Sequence, residues 1–139
     1  MSEHKVTVEH MDGMAFKTEV NGHKLIIDAD DQFGGNDQGP RPKPLLLLSL
    51  IGCTGMDVVS LLKKMRVDYD DLKITAHGEL AEEHPKYYTK ITVEYHIWGK
   101  NIDHPKMEKA VNLSVERYCG VNFMLAKSSE VSSEIFYHE

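Results

Sequence analysis

Cys53 and Cys119 are the two residues of this chain best suited to chemistry, and there is no third cysteine. Cys53 lies within Leu45-Leu46-Leu47-Leu48-Ser49-Leu50-Ile51-Gly52-Cys53-Thr54-Gly55-Met56-Asp57, a stretch that is apolar almost throughout. Gly52 and Gly55 leave room there for close approach. Cys119 lies near the end of a second predicted helix, just before Gly120. Two thiols on buried helices suggest sulfur chemistry in a pocket. The thiolate is the reactive form, and nearby cations favour it whereas apolar burial suppresses it. The alternative is two unrelated core cysteines, since free cysteine is among the most buried residue types.

Other chemistries find less support. The eight histidines show no His-x-x-x-His spacing and no Cys-x-x-Cys occurs, so no metal site is expected. Asp28, Asp30 and Asp31 resemble the start of a calcium loop, but the sixth position is Phe33 and the twelfth is Gly39. No glycine-rich stretch ends in Gly-Lys-Ser/Thr, which excludes a phosphate-binding loop of that type.

The 139 residues fit one domain, 1–139, with a proper core. With 16 Lys+Arg against 22 Asp+Glu, the formal charge is −6, and no nucleic-acid partner is expected. Lys63, Lys64 and Arg66 gather at a helix end, where they complement the macrodipole. Residues 1–12 carry no hydrophobic run. The expected compartment is the cytoplasm, where both cysteines rest as thiols and a disulfide is transient and functional. The apolar stretch from Leu45 to Met56 is too short to span a bilayer, so no membrane is expected.

The elements that must position the thiols follow from periodicity. Val6 and Val8 alternate with polar residues as a first strand, and Met14 to Val20 form a second. Asn21-Gly22 supplies a two-residue turn into a third strand, His23 to Asp28. After a loop over residues 29–42, a helix runs from Lys43 to Arg66. Its second half has a stripe of Val58, Val59, Leu61, Leu62 and Met65, and its first half is apolar on every face. Such a helix needs cover all round, which one small sheet does not give; a second subunit is expected to supply the rest. Residues 72–80 and 90–97 alternate as two long strands. A second helix starts near Asp103-His104-Pro105, with Val111, Val115 and Cys119 on one stripe. Val131 to His138 is a final strand. The order is βββ-α-ββ-α-β, an α+β fold with helices on a mostly antiparallel sheet.

That order, with one cysteine on each helix, resembles the OsmC/Ohr family of osmotically inducible and organic hydroperoxide resistance proteins. Gly39-Pro40-x-Pro42-x-x-Leu45-Leu46-Leu47 followed by Gly52-Cys53-Thr54-Gly55-Met56-Asp57-Val58-Val59 is similar to the OsmC-like branch. Tyr118-Cys119-Gly120-Val121 is similar to the family's second cysteine motif. The resemblance implies a sheet wrapped on two central helices and an intertwined homodimer with two pockets at the interface. It implies that Cys53 attacks a small apolar peroxide and that Cys119 resolves the product as a disulfide. No bound cofactor is implied; a dithiol reductant is the co-substrate.

Two departures qualify this. The family's hydroperoxide enzymes activate the thiolate with an arginine just before an Asp-Gly step, paired to a glutamate ten residues before the reactive cysteine. Here Met11 precedes Asp12-Gly13, and Lys43 stands at the glutamate's place. Arg41, Lys43 and Arg117 are the candidate substitutes for the missing cation, and Met11 is a candidate pocket wall. On one helix Lys43 lies roughly 15 Å from Cys53, so it would have to act from the other subunit. Two readings therefore stand. The retained cysteine pair favours a thiol-dependent peroxidase. The missing arginine–glutamate pair favours a protein of the same fold that holds a small ligand, with the cysteines as pocket walls.

Overall fold

In the computed structural model, which describes residues 2–139, the chain divides into two units, one through Leu46 and one from Leu47. The first carries an antiparallel meander of β1 (Val8–His10), β2 (Phe16–Val20) and β3 (His23–Ile27) in that spatial order. Asn21 and Gly22 join β2 to β3 with φ of 52° and 83°, the left-handed pair that a tight hairpin requires. The strand expected from Met14 starts later, at Phe16. Residues 11–15 are taken by a turn in which Ala15 N–H donates to the Asp12 carbonyl and Met11 N–H to the Ala15 carbonyl, both 3.0 Å.

The loop after β3 is organised by Asp28. Its buried carboxylate accepts from the backbone N–H of Ala29 at 2.7 Å and of Asn36 and Gln38 at 3.1 Å each. Asp30 caps a short 3₁₀ turn, Asp31–Phe33, by accepting from Gln32 N–H. Acidic spacing that resembles a calcium loop thus serves the backbone.

Helix α1 spans Pro44–Lys64. It ends because Arg66 turns left-handed, φ 59°, while Val67 N–H reaches back to the Leu62 carbonyl. This closure satisfies carbonyls that the last turn leaves open. With 21 residues, α1 has the length and composition to cross a bilayer, which the shorter stretch from Leu45 to Met56 does not. Its stripe of Leu50, Thr54, Val58 and Leu62 is instead buried in protein core.

The second unit holds a sheet in the order β4 (Asp71–Leu80), β5 (Tyr88–Trp98), β6 (Glu130–His138). β4 and β5 are antiparallel, whereas β5 and β6 run parallel, the exception in a mostly antiparallel fold. Ile91, Val93, Tyr95 and Ile97 are buried on one face of β5, as their alternation requires. They share a core with Leu50, Val58 and Leu62 of α1. Met107, Ala110 and Val111 of α2 (His104–Leu113) join the same core. Burying each large side chain contributes about 1.5–3 kcal/mol. Asp103 caps α2, its carboxylate accepting from Lys106 N–H at 3.1 Å. The expected α+β order is present, with a third short helix, α3 (Gly120–Leu125), after Cys119.

Candidate functional site: a thiol pair beside a carboxylate

Cys53 and Asp57 are one helical turn apart on α1, so their side chains share a face. Cys119 reaches the same place from α2. Beyond Leu113 that helix widens over Ser114–Tyr118 into a π turn. Cys119 N–H closes it by donating to the Ser114 carbonyl, five residues back, at 2.7 Å. The chain then restarts as α3, with Cys119 as its cap and Asn122 N–H donating to Sγ at 3.3 Å. π turns of this kind recur at functional sites. Cys119 is therefore at a helix break rather than on a continuous helix.

The two sulfurs and a carboxylate oxygen of Asp57 all lie within 4.8 Å of one another. The two sulfurs face each other across this gap, and neither cysteine is in a disulfide. Cys119 is buried and Cys53 half-buried. Burial pushes the Cys119 thiol up first, the neighbouring Cys53 side chain adds to this, and the Asn122 N–H works against it. The nearby Asp57 carboxylate raises it further, to about 11. At neutral pH Cys119 is a protonated thiol.

A buried polar chain supports the carboxylate. Ser114 Oγ donates to Asp57 Oδ2 at 3.0 Å. Ser114 also bonds the Thr54 hydroxyl at 2.8 Å, and Thr54 bonds the Tyr95 hydroxyl at 2.7 Å. Among the described residues, no buried side-chain polar atom lacks a partner. Burial raises the Tyr95 phenol above its ordinary range, so it remains neutral. None of Asp57, Ser114, Thr54 or Tyr95 was expected as a site residue. A carboxylate four residues after a cysteine in an apolar helix is the signal for the first. A serine on the apolar stripe of α2 is the signal for the second.

The expected cations are engaged elsewhere. Arg117, two residues from Cys119, is exposed, and its guanidinium lies over the Tyr118 ring at 5.6 Å. Arg41 pairs with Asp37 at 2.6 Å and donates to the Gly39 carbonyl at 2.8 Å. Lys43 is exposed just before α1, and Met11 is exposed in the turn after β1.

A family model described as OsmC-like protein matches residues 34–134. Protein YhfA of Escherichia coli is 32% identical over 126 residues, covering 90% of this chain and 91% of its own. A hypothetical protein from Aquifex aeolicus, 33% identical, superposes with a TM-score of 0.84 over 100% of both chains. An organic hydroperoxide resistance protein OsmC from Legionella pneumophila shares the fold at a TM-score of 0.71 over 98% of this chain and 99% of its own, with 16% identity. The chain belongs to the OsmC-like protein family.

Proposed function

We propose that the protein reduces organic hydroperoxides through the Cys53–Cys119 dithiol, as a cytoplasmic homodimer. The convergence of the two sulfurs, within 4.8 Å of each other, carries this reading. Cys53, the more accessible sulfur, takes the peroxide, and buried Cys119 resolves the product. The Cys53 thiolate attacks one peroxide oxygen, the O–O bond breaks, and an alcohol leaves after protonation. The resulting Cys53 sulfenic acid is attacked by the Cys119 sulfur. The S–O bond breaks, water departs with the Cys119 proton, and a disulfide forms. A small dithiol of the lipoyl type returns both sulfurs to thiols by exchange. The name of the Legionella pneumophila relative supports the substrate class. Lys43 would reach this site from a partner subunit.

The dimer is supported by the exposed apolar side of α1, where Leu48 is 60% and Met56 77% exposed beside Val59. Stable interfaces of this kind bury more than about 2,000 Å² in total. Light scattering that gave a folded monomer at micromolar concentration would remove the dimer.

A second reading rests on Asp57. A carboxylate beside both sulfurs disfavours thiolate, which suits a small-ligand holder with cysteine walls. Consumption of an organic hydroperoxide with a dithiol reductant separates the two. Turnover in the wild type that disappears in Cys53→Ser supports the peroxidase. No turnover across several hydroperoxides and reductants selects the ligand holder.

A further inference from the structure

We propose that Cys53, Asp57 and Cys119 bind a thiophilic divalent cation, zinc, when both thiols are reduced. Three donors converge from two parts of the chain: a sulfur and an oxygen one turn apart on α1, and a sulfur from the break between α2 and α3. All three donor atoms lie within 4.8 Å of one another. Around tetrahedral zinc, with bonds of about 2.3 Å to sulfur and 2.0–2.2 Å to oxygen, donors stand roughly 3.5–3.8 Å apart. Two thiolates and a carboxylate suit zinc better than calcium or magnesium, which take oxygen ligands.

The support around the donors is that of a ligand set. Ser114 Oγ engages Asp57 Oδ2 and leaves the second carboxylate oxygen for an ion. Ser114 is fully buried and is itself fixed through Thr54 to Tyr95. Such outer partners orient a metal ligand. On binding, the ion forms bonds to two sulfurs and one oxygen, and the two thiol protons go to solvent. Three protein ligands leave a fourth position open. Oxidation of the cysteines to a disulfide removes both thiolates and therefore the site. Binding needs no peroxide, so it stands or falls apart from the proposed reductase activity.

The test titrates the full chain, reduced and under anaerobic conditions, with cobalt(II) as a spectroscopic stand-in. The expected result is about one ion per chain, a thiolate-to-cobalt charge-transfer band, and release of about two protons per ion. Excess zinc should erase the band, and protein oxidised to the disulfide should show none. Cys53→Ser and Cys119→Ser should each weaken the band and the affinity. Ser114→Ala, which removes the hydrogen bond to Asp57 together with that to Thr54 and leaves all three ligands in place, should weaken binding by about 10–100-fold. Asp57→Asn should weaken it by at least about tenfold, with far-ultraviolet circular dichroism confirming the fold. Absence of the charge-transfer band in reduced wild type overturns the proposal whatever the variants do. Unchanged affinity in folded Asp57→Asn overturns the assignment of the carboxylate.

Discussion

Asp28 and Asp57 are the same residue type in opposite surroundings. Asp28 is enclosed by donors: three backbone N–H groups point at its two oxygens. Burial raises its carboxyl, but the bonds from Gln38, Ala29 and Asn36, with help from the Arg41 charge, outweigh this and hold it below the usual range. Asp57 has one hydroxyl donor and faces two sulfurs. The first carboxylate is satisfied by its own loop, so its role ends at the loop. The second retains capacity for a proton or an ion and sits where thiols can use it. A buried carboxylate acquires a chemical role through what its neighbours leave unsatisfied.

Cys53→Ser gives the largest expected effect. It should abolish hydroperoxide consumption, because the one other thiol, Cys119, is buried. Cys119→Ser should allow a single turnover and then stall as the sulfenic acid, trapped by a dimedone-type reagent and read by mass spectrometry. Multiple turnover in Cys119→Ser would show that the small dithiol resolves Cys53 directly, leaving Asp57 beside a thiol pair that does not act as a pair.

Gly35→Ala attacks the other side of the comparison. A Cβ at residue 35 runs into the Ala29 carbonyl, in the loop that Asp28 holds. Overpacking of this sort costs about 1–3 kcal/mol, and the backbone here has little room to yield. The urea midpoint should fall, and amide exchange at Asn36 and Gln38 should accelerate. An unchanged midpoint would mean that the Asp28 cradle is looser than its hydrogen bonds imply.

Tyr95→Phe is expected to be milder. It removes a hydroxyl that is bonded to Thr54 inside the core. Thr54 keeps Ser114 as a partner, so the loss should be near the lower end of the 1–3 kcal/mol typical of a broken buried hydrogen bond, about 1 kcal/mol. A stability gain would show that the polar chain under Asp57 is not needed to hold the fold.

The strands of this protein were legible because β4 and β5 alternate cleanly and Asn21-Gly22 can form only a narrow range of turns. The parallel pairing of β6 was not legible. Alternation fixes which face a strand buries but carries no sign of its direction. At the site, the two cysteines stood out, and Gly120 signalled a break after Cys119. The π turn that aims Cys119 left no mark, because Ser114–Tyr118 continues the helical pattern. Tyr95 read as one more apolar residue in an alternating strand, since its hydroxyl partner comes from α1. Ser114 and Thr54 are small polar residues on apolar stripes, which only tertiary packing turns into a network.

The smallest expected effect is in acid, and it belongs to Asp28. Its folded carboxyl titrates below its ordinary value of 3.8, the value of the unfolded chain. Where the native pKa is the lower one, the unfolded state binds more protons, so stability rises with pH through that window. The contribution of Asp28 is therefore fully present above the ordinary value. It declines as pH falls through 3.8 towards the folded pKa and is gone below both. Asp28→Asn cannot titrate, and its amide retains one oxygen to accept with. It should be less stable than wild type at neutral pH, and the gap between the two should narrow below about pH 4. Urea melts at neutral pH and on either side of that window would measure the gap. A gap that stays constant into acid would mean that the three N–H bonds act as well on an amide as on a carboxylate. The contrast with Asp57 would then rest on hydrogen-bond number rather than on charge.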